Sequence, residues 1–489
     1  MNYILAIDQG TTGSRAILYD KAGKPVLSAY KEFTQYFPKP GWVEHDAEEI
    51  WQSVYYCLQK VLAKKPKIQA IGITNQRETT VVWDKNTGQP IHKAIVWQCR
   101  RTSEYCAKLK KNKSLVNYIR DNTGLAVDPY FSATKLNWIL KNVPGAYLKA
   151  LKGDLLFGTT DSWLLWKLTK NHATDFTNAS RTMLFNINTL RWDKKLLSVF
   201  DIPEQMLPQV KNSSGLFGHS IKLGKLPANI PVCGIAGDQQ ASLFGQTCFE
   251  PGMIKNTYGT GGFLLLNTGS KKIISRHGLL TTLCCDAAGR PAYALEGSVF
   301  IAGAAIQWLR DELQIIKTAR DTEKIALSLT HNDGVYFVPA LTGLGAPYWN
   351  TEARGTICGL TRGTGRAHLV RAALEAIAYQ TKDVLNAMQK DSGLKITELK
   401  VDGGAAANNF LCQFQADILG LNVVRPKEIE TTSLGAAYLA GLATGYWKNA
   451  VDIRRCWAID RIFQRVMPSA QAGQLYAGWE KAVGKTIII

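Results

Sequence analysis

The chain has 489 residues, of which 46% are hydrophobic and 20% charged, and it carries a net charge of +19. That length predicts two or three domains with ample core, and the composition excludes a disordered or fibrous chain. No apolar run approaches the ~20 residues of a membrane span, so membrane insertion is not expected.

Residues 1–35 read as a meander of strands at 3–8, 15–20 and 25–33. The first turn, Gln9-Gly10-Thr11-Thr12-Gly13-Ser14, is rich in glycine and hydroxyls. Gly10 and Gly13 would permit positive φ and bring backbone N–H groups near a ligand. With Thr11 and Thr12 they form a donor array suited to phosphate oxygens. Asp8 would repel bare phosphate, so it makes sense there only with a divalent cation between. An ordinary hairpin turn, with an Asp bonding its own backbone, fits these residues equally well. Asp46 with Glu49 predicts a capping box opening a helix that ends before Pro66. Its apolar stripe is Ile50, Val54, Cys57, Leu58, Val61 and Leu62. Strands follow at 68–74, 79–84 and 94–97, then a mostly helical stretch over 100–200 with Asn178–Thr182 as a polar break. This order is that of a ribonuclease-H-like sheet. It is not that of a dinucleotide-binding βαβ repeat.

A strand running into Gly237-Asp238-Gln239-Gln240 closes the first half, and the domain boundary is placed near residue 245, giving domains 1–245 and 246–489. The second half opens on another strand–turn–strand, Met253–Asn267, around Gly259-Thr260-Gly261-Gly262. Two such hairpins in corresponding positions suggest a duplicated architecture with a nucleotide held between the halves. Ser298 is expected to cap a helix reaching Ile316, with Gly303 and Gln307 on one face. There Gly303 would allow either a flat ring or close helix packing. A long helix is expected at 366–390, then a strand Glu398–Asp402 entering Gly403-Gly404 ahead of a helix starting at Asn408 or Asn409. Glycines between a strand and a helix N-terminus suit nucleotide contact.

Ten cysteines, scattered without a CxxC pair, fit free thiols in a reducing cytoplasm. No signal peptide is evident at the start. The basic residues lie in short pairs such as Lys64-Lys65, with no Arg-rich tail, so the charge reads as solvated surface that also attracts an anionic nucleotide. Nucleic acid is not an expected partner.

These stretches, with Gly72–Thr79, Trp97–Thr102, Tyr130–Asn142 and Ala340–Trp349, resemble the FGGY carbohydrate kinase family of the actin/Hsp70/hexokinase ATPase superfamily. The resemblance covers nearly the whole chain. It implies an α/β fold of two ribonuclease-H-like, actin-like ATPase domains with a nucleotide cleft between them. Gln76-Arg77-Glu78 and Gly259–Phe263 are similar to the family's glycerol-phosphorylating members. That similarity implies ATP-dependent phosphorylation of glycerol, with ATP/ADP and Mg²⁺ as cofactors and a homodimer or homotetramer as the assembly. The implied catalytic base is Asp238. Implied substrate contacts are Arg77, Glu78, Tyr130, Asp238, Gln239 and Phe263. Thr11, Thr12, Gly13, Arg15, Thr260, Gly303, Gln307, Gly404 and Asn408 would hold the nucleotide, and Asp8 and Asp238 would face the metal. Gly13 stands where the family often has Ser. The loop at Ser220–Asn229 lacks the family's motifs for fructose 1,6-bisphosphate inhibition and for His phosphorylation, so neither form of regulation is expected.

Overall fold

The structure, a computed structural model, describes residues 2–488. The chain divides into two compact units. The first comprises Met1–Phe249 with Thr281–Tyr293 and Thr431–Cys456; the second comprises Glu250–Leu280, Ala294–Glu430 and Trp457–Ile489. The first break, after Phe249, lies close to the expected boundary near residue 245, and two later segments also pack in the first unit.

Close backbone approach explains the larger of these returns. The helix Thr431–Ala443 is built of small residues and lies against glycines of the first unit. A Cβ on Gly72 would meet Ala436 O at 2.2 Å, and one on Gly245 would meet Thr431 O at 2.1 Å. A Cβ on the helix's own Gly435 would meet Ala241 O at 1.8 Å. Only glycine fits such contacts. The segment Thr281–Tyr293 is tied in by Thr281 N donating to Gly124 O (2.9 Å) and Gln240 Nε2 donating to Leu283 O (3.1 Å).

The main sheet of the first unit has the order Ser214–His219, Pro231–Gly237, Lys67–Asn75, Asn2–Gln9, Gly13–Tyr19, Pro25–Glu32. Asn2–Gln9 runs parallel to Lys67–Asn75 and antiparallel to Gly13–Tyr19, as the meander predicts. The second unit repeats the pattern. Ile254–Tyr258 is antiparallel to Gly262–Gly269 and parallel to Glu398–Asp402, which is parallel to Asn422–Pro426. Each parallel run then ends on an antiparallel strand, Ser214–His219 in one unit and Ile459–Phe463 in the other. The two hairpins thus occupy equivalent places in two sheets of one design.

The helix Ala47–Val61 buries Ile50, Trp51, Val54, Cys57, Leu58 and Val61. Each large apolar side chain removed from water contributes about 1.5–3 kcal/mol. Asp46 caps it as expected, but Glu49 does not complete a capping box. Its carboxylate instead accepts from Thr34 N (3.0 Å) and from the Tyr36 hydroxyl.

One other expectation is corrected. Ser298 lies inside the strand Pro291–Val299, and the next helix is Gly303–Asp311 with Ala302 at its N-cap. Asn178–Thr182 is a polar break as expected, and it is buried throughout: Asn178 and Ala179 end the short helix Phe176–Ala179, and a turn follows. Its polar residues are bonded within the core, Asn178 Nδ2 to Asp175 Oδ1 (2.9 Å) and Ser180 Oγ to Thr177 O (2.8 Å).

Candidate active site

In the first unit, Arg77 and Glu78 follow the strand Lys67–Asn75, and Asp238 opens the helix Asp238–Gly245 after the strand Pro231–Gly237. The two parallel strands are neighbours, with Gly237 opposite Asn75, so their ends bring these side chains together. Arg77 Nε lies 3.0 Å from Asp238 Oδ1 and 3.9 Å from Glu78 Oε1. Arg181 Nε donates to Glu78 Oε1 at 2.6 Å. The result is an alternating row of charges, Asp238–Arg77–Glu78–Arg181. Arg77, Glu78 and Arg181 are at most 2% exposed, while the Asp238 side chain is 32% exposed. Burial makes unpaired charge costly, so such a row is stable only because each member faces an opposite one. Asp238 alone opens the row to solvent.

The surroundings fix this row. A Cβ on Gly237 would lie 2.7 Å from Arg77 Cγ and Cδ, so glycine leaves the space that the Arg77 stem fills. Arg77 Nη1 donates to Gln240 Oε1 (3.2 Å), and Gln240, fully buried, donates in turn to Leu283 O (3.1 Å). Asp238 Oδ1 accepts from Gln239 N at 2.7 Å. Glu78 has φ +58°, a left-handed backbone that is strained for a glutamate. Its carbonyl is held by Ser132 Oγ (3.0 Å) and Thr80 Oγ1 (3.2 Å).

An aromatic wall adjoins the charges. Tyr130 packs edge-on against Trp97, with centroids 5.6 Å apart, and the Arg181 guanidinium lies 5.6 Å from the Tyr130 ring. Beneath it the ammonium of Lys135, fully buried, donates to the carbonyls of Pro129, Tyr130 and Phe131. Burial pulls the Lys135 ammonium down to about 8. Phe263, expected in the same wall, is the second residue of the strand Gly262–Gly269 in the second unit. Within the first unit the wall is Tyr130 with Trp97.

Trp97 also joins the wall to the first hairpin, since its Nε1 donates to Thr11 Oγ1 at 3.1 Å. That turn is held by side chains. Gln35 Nε2 donates to Thr11 O (3.1 Å), Gln76 Nε2 reaches Gly10 O (3.3 Å) and Gln9 Oε1 (3.2 Å), and His45 bridges Gln35 and Gln76. Burial lowers the His45 pKa to about 4, so the ring is neutral: Nε2 donates to Gln35 Oε1 and Nδ1 accepts from Gln76. Neither Gly10 nor Gly13 has positive φ, contrary to expectation. A Cβ on Gly13 would lie 2.5 Å from the Tyr30 hydroxyl, the far end of an exposed side chain, so the glycine leaves room for that ring. Thr12 is exposed at the tip, and Asp8 pairs across the hairpin with Arg15.

In the second unit, Thr260, Gly303, Gln307, Gly404 and Asn408 all line one cavity of about 1010 Å³. Tyr258, Ile306, Leu327 and Leu374 supply apolar surface, and Arg310, Arg320 and Lys324 bring positive charge. Gly303 is explained by close packing: its N–H donates to Gly259 O (3.0 Å), and a Cβ would meet that oxygen at 2.6 Å. Gly404 is different, because a Cβ added there would have nothing within 4 Å, so its position faces open space. Asn408 caps the helix Asn409–Leu419 through Leu411 N (2.9 Å), and its amide donates to Thr322 Oγ1 (3.0 Å).

Arg181 carries no mark in the sequence that sets it apart from a polar loop residue; only its burial against Glu78 reveals it. Trp97 and Gln240 lie within motif stretches, but their bonds to Thr11 and Arg77 follow from the fold alone. Among the described residues, no group of three or more His, Cys, Asp or Glu side chains could hold a metal ion.

Residues 3–245 match the N-terminal domain of the FGGY family of carbohydrate kinases, and residues 254–444 match its C-terminal domain. The chain is 58% identical to a glycerol kinase of Fusobacterium nucleatum, over 99% of both proteins. It is 60% identical to one of Caldanaerobacter subterraneus subsp. tengcongensis, over 99% of this chain and 98% of that protein. The crystal structure of Plasmodium falciparum glycerol kinase with ADP superposes with a TM-score of 0.93 at 39% identity, covering 100% of this chain and 99% of that one. With both halves matched in order and two sheets of one design, the chain belongs to the FGGY family of carbohydrate kinases.

Proposed function

We propose that the protein transfers the γ-phosphoryl group of ATP to glycerol, giving sn-glycerol 3-phosphate and ADP. The observation that carries this reading is the buried row Asp238–Arg77–Glu78–Arg181 beside the Trp97–Tyr130 wall. Glycerol is small and neutral and carries only hydroxyls on a short carbon chain. A site for it needs fixed donors and acceptors with one apolar face. Arg77 and Gln239 donate, Glu78 and Asp238 accept, and Tyr130 supplies the face. Hydrogen bonds to charged groups contribute about 1.5–3 kcal/mol each. The 58–60% identity to glycerol kinases supports the same substrate.

In transfer, the attacking hydroxyl oxygen bonds to Pγ as the bond from Pγ to the β,γ-bridging oxygen breaks, and the hydroxyl proton passes to the Asp238 carboxylate. Asp238 suits this role because it is the one open member of the row, and Arg77 at 3.0 Å fixes its direction. Phosphoryl transfer depends mainly on positioning and charge neutralisation. Thr11, Thr12, Gly13 and Thr260, on turns of equivalent place in the two sheets, bind phosphate oxygens, and Arg15 offsets their charge. Gly303, Gln307, Gly404 and Asn408 line the cavity for the adenosine. Mg²⁺ enters with ATP as part of the substrate. The chain offers single carboxylates, Asp8 and Asp238, to face it through water, which suits an ion carried mainly by phosphates. Ten free cysteines, with Cys284 and Cys285 adjacent and unbridged, support a reducing compartment such as the cytoplasm.

Purified protein with MgATP and a panel of glycerol, dihydroxyacetone, xylulose, ribulose and gluconate tests this reading. Glycerol should show the highest kcat/KM. A higher value for a ketose or for gluconate overturns the substrate assignment, and ATP turnover that needs no polyol overturns the kinase reading.

A further inference from the structure

We propose that Arg181 is the positioning residue that holds the Glu78 carboxylate toward a hydroxyl of the acceptor. This deepens the reading above and rests on it. Glu78 occupies a strained left-handed conformation, φ +58°, in a fully enclosed place. Such strain persists only where the surroundings over-determine it. The backbone side of that constraint is visible in the Ser132 and Thr80 hydroxyls on the Glu78 carbonyl. The side-chain half is Arg181: its Nε holds Oε1 at 2.6 Å, and Arg77 stands further off at 3.9 Å.

Arg181 is itself held from several sides. Its N–H donates to Asn178 O (3.0 Å), and the next residue's carbonyl, Thr182 O, accepts from Ala133 N (2.8 Å). Its guanidinium lies 5.3 Å from the Phe131 ring and 5.6 Å from the Tyr130 ring. One side chain therefore touches both the carboxylate and the apolar wall, and sets the distance between the two features that recognise a polyol. A guanidinium does this through its directed Nε–H and its planar, weakly hydrated face; an ammonium in its place would keep the charge and lose that geometry. Arg181 touches Glu78 and the wall, and acts on the acceptor through them.

The test uses Arg181→Lys, Arg181→Gln, Glu78→Gln and the double variant Arg181→Lys/Glu78→Gln in the full-length protein. Acceptor KM, ATP KM, kcat and thermal midpoint are measured for each. Arg181→Lys should raise the acceptor KM about tenfold, the equivalent of one misplaced hydrogen bond, and Arg181→Gln should raise it further. The ATP KM should stay within about twofold in both, which a general loss of structure would not allow. In the Glu78→Gln background, Arg181→Lys should add less than about twofold, because the two residues act as one unit. A folded Arg181→Lys with a wild-type acceptor KM overturns the proposal. So do equal rises in both KM values, multiplying effects in the double variant, or failure of both single Arg181 variants to fold. The acceptor used is whichever the wild type prefers, so a failure of the glycerol assignment shows in the wild-type panel and leaves the Arg181 comparison readable.

Discussion

The two hairpin turns hold the same place in the two sheets and are supported in different ways. The turn at Gly10–Gly13 leans on side chains: Gln35, Gln76 and Trp97 bond its carbonyls and hydroxyl, and His45 holds Gln35 and Gln76 in turn. The turn at Gly259–Gly261 rests on backbone. Gly303 N donates to Gly259 O, and Ala302 N and Ala304 N both donate to Thr260 O, at 2.9–3.0 Å. Glycine lets these chains touch, since a Cβ on Gly261 would meet Val299 O at 2.4 Å. One fold element thus supports two kinds of site. The first unit places functional side chains with other side chains. The second shapes a cavity from main chain and the lack of Cβ atoms. Substitutions should sort accordingly: polar changes in the first unit should alter chemistry, and added methyl groups in the second should alter nucleotide binding.

The largest effect should come from the chemistry of the first unit. Asp238→Asn keeps the shape and removes the proton acceptor, so kcat should fall about 10²–10⁴-fold. Calorimetric binding of glycerol and of ATP should be nearly unchanged. Turnover close to wild type would move the base elsewhere and erase the contrast at its strongest point.

Gly403→Ala tests the other side. Gly403 has φ +81°, and a Cβ there would sit 2.4 Å from Tyr258 O. The backbone strain and the overlap together should cost about 2–4 kcal/mol. The thermal midpoint should drop by several degrees and the ATP KM should rise, with the glycerol KM little changed. A rise confined to the glycerol KM would contradict the division between the units.

How far the sequence discloses this division depends on the kind of signal. The strand meander, the helix from Ala47 and both glycine turns are legible because alternation, capping and turn residues are local. Arg77, Glu78 and Asp238 are legible through resemblance to a family, since an Arg-Glu pair alone reads as a surface ion pair. Arg181 on Glu78 and Gln240 on Arg77 are not legible, because both are contacts across more than a hundred residues. Glycine is ambiguous in another way. Gly13 signals a turn, but that it makes room for a ring and does not serve positive φ shows only in Tyr30, which lies on a different strand. The return of Thr431–Cys456 to the first unit is hidden for the same reason: small residues show that a helix packs closely, not against what.

The side-chain support of the first turn should carry a pH signature that the second turn lacks. His45 titrates at about 4 when folded, lowered from 6.5 by burial, with Glu49 nearby pulling weakly the other way. Below pH 6.5 the unfolded chain takes up a proton here and the folded chain does not until about pH 4. The stability tied to this neutral ring is therefore complete above 6.5 and is lost as pH falls toward 4, by at most about 3 kcal/mol. Gln at this position offers one donor and one acceptor to the same partners and does not titrate. Denaturant melts of wild type and His45→Gln should run close at pH 7.5 and separate at pH 5, with the variant the more stable. Parallel curves across that range would show that the ring does not stay neutral.

The smallest effect should be at Gly404, next to the most sensitive glycine. Gly403 is crowded and left-handed, whereas Gly404 lacks positive φ and has no atom within 4 Å of an added Cβ. Its freedom is therefore not needed by the fold, and Gly404→Ala should shift stability by no more than about 0.5 kcal/mol. The position lines the cavity of the second unit, so the added methyl enters space that a ligand would use. If adenosine occupies it, the ATP KM should rise by a few-fold while the thermal midpoint without nucleotide stays at the wild-type value. Measuring that midpoint with and without ATP separates the two contributions, because a ligand stabilises the folded state only in proportion to its binding. A methyl that leaves both the ATP KM and the ATP-induced rise in midpoint untouched would place the nucleotide away from Gly404 and narrow the cavity's use to the side lined by Thr260, Gly303 and Gln307.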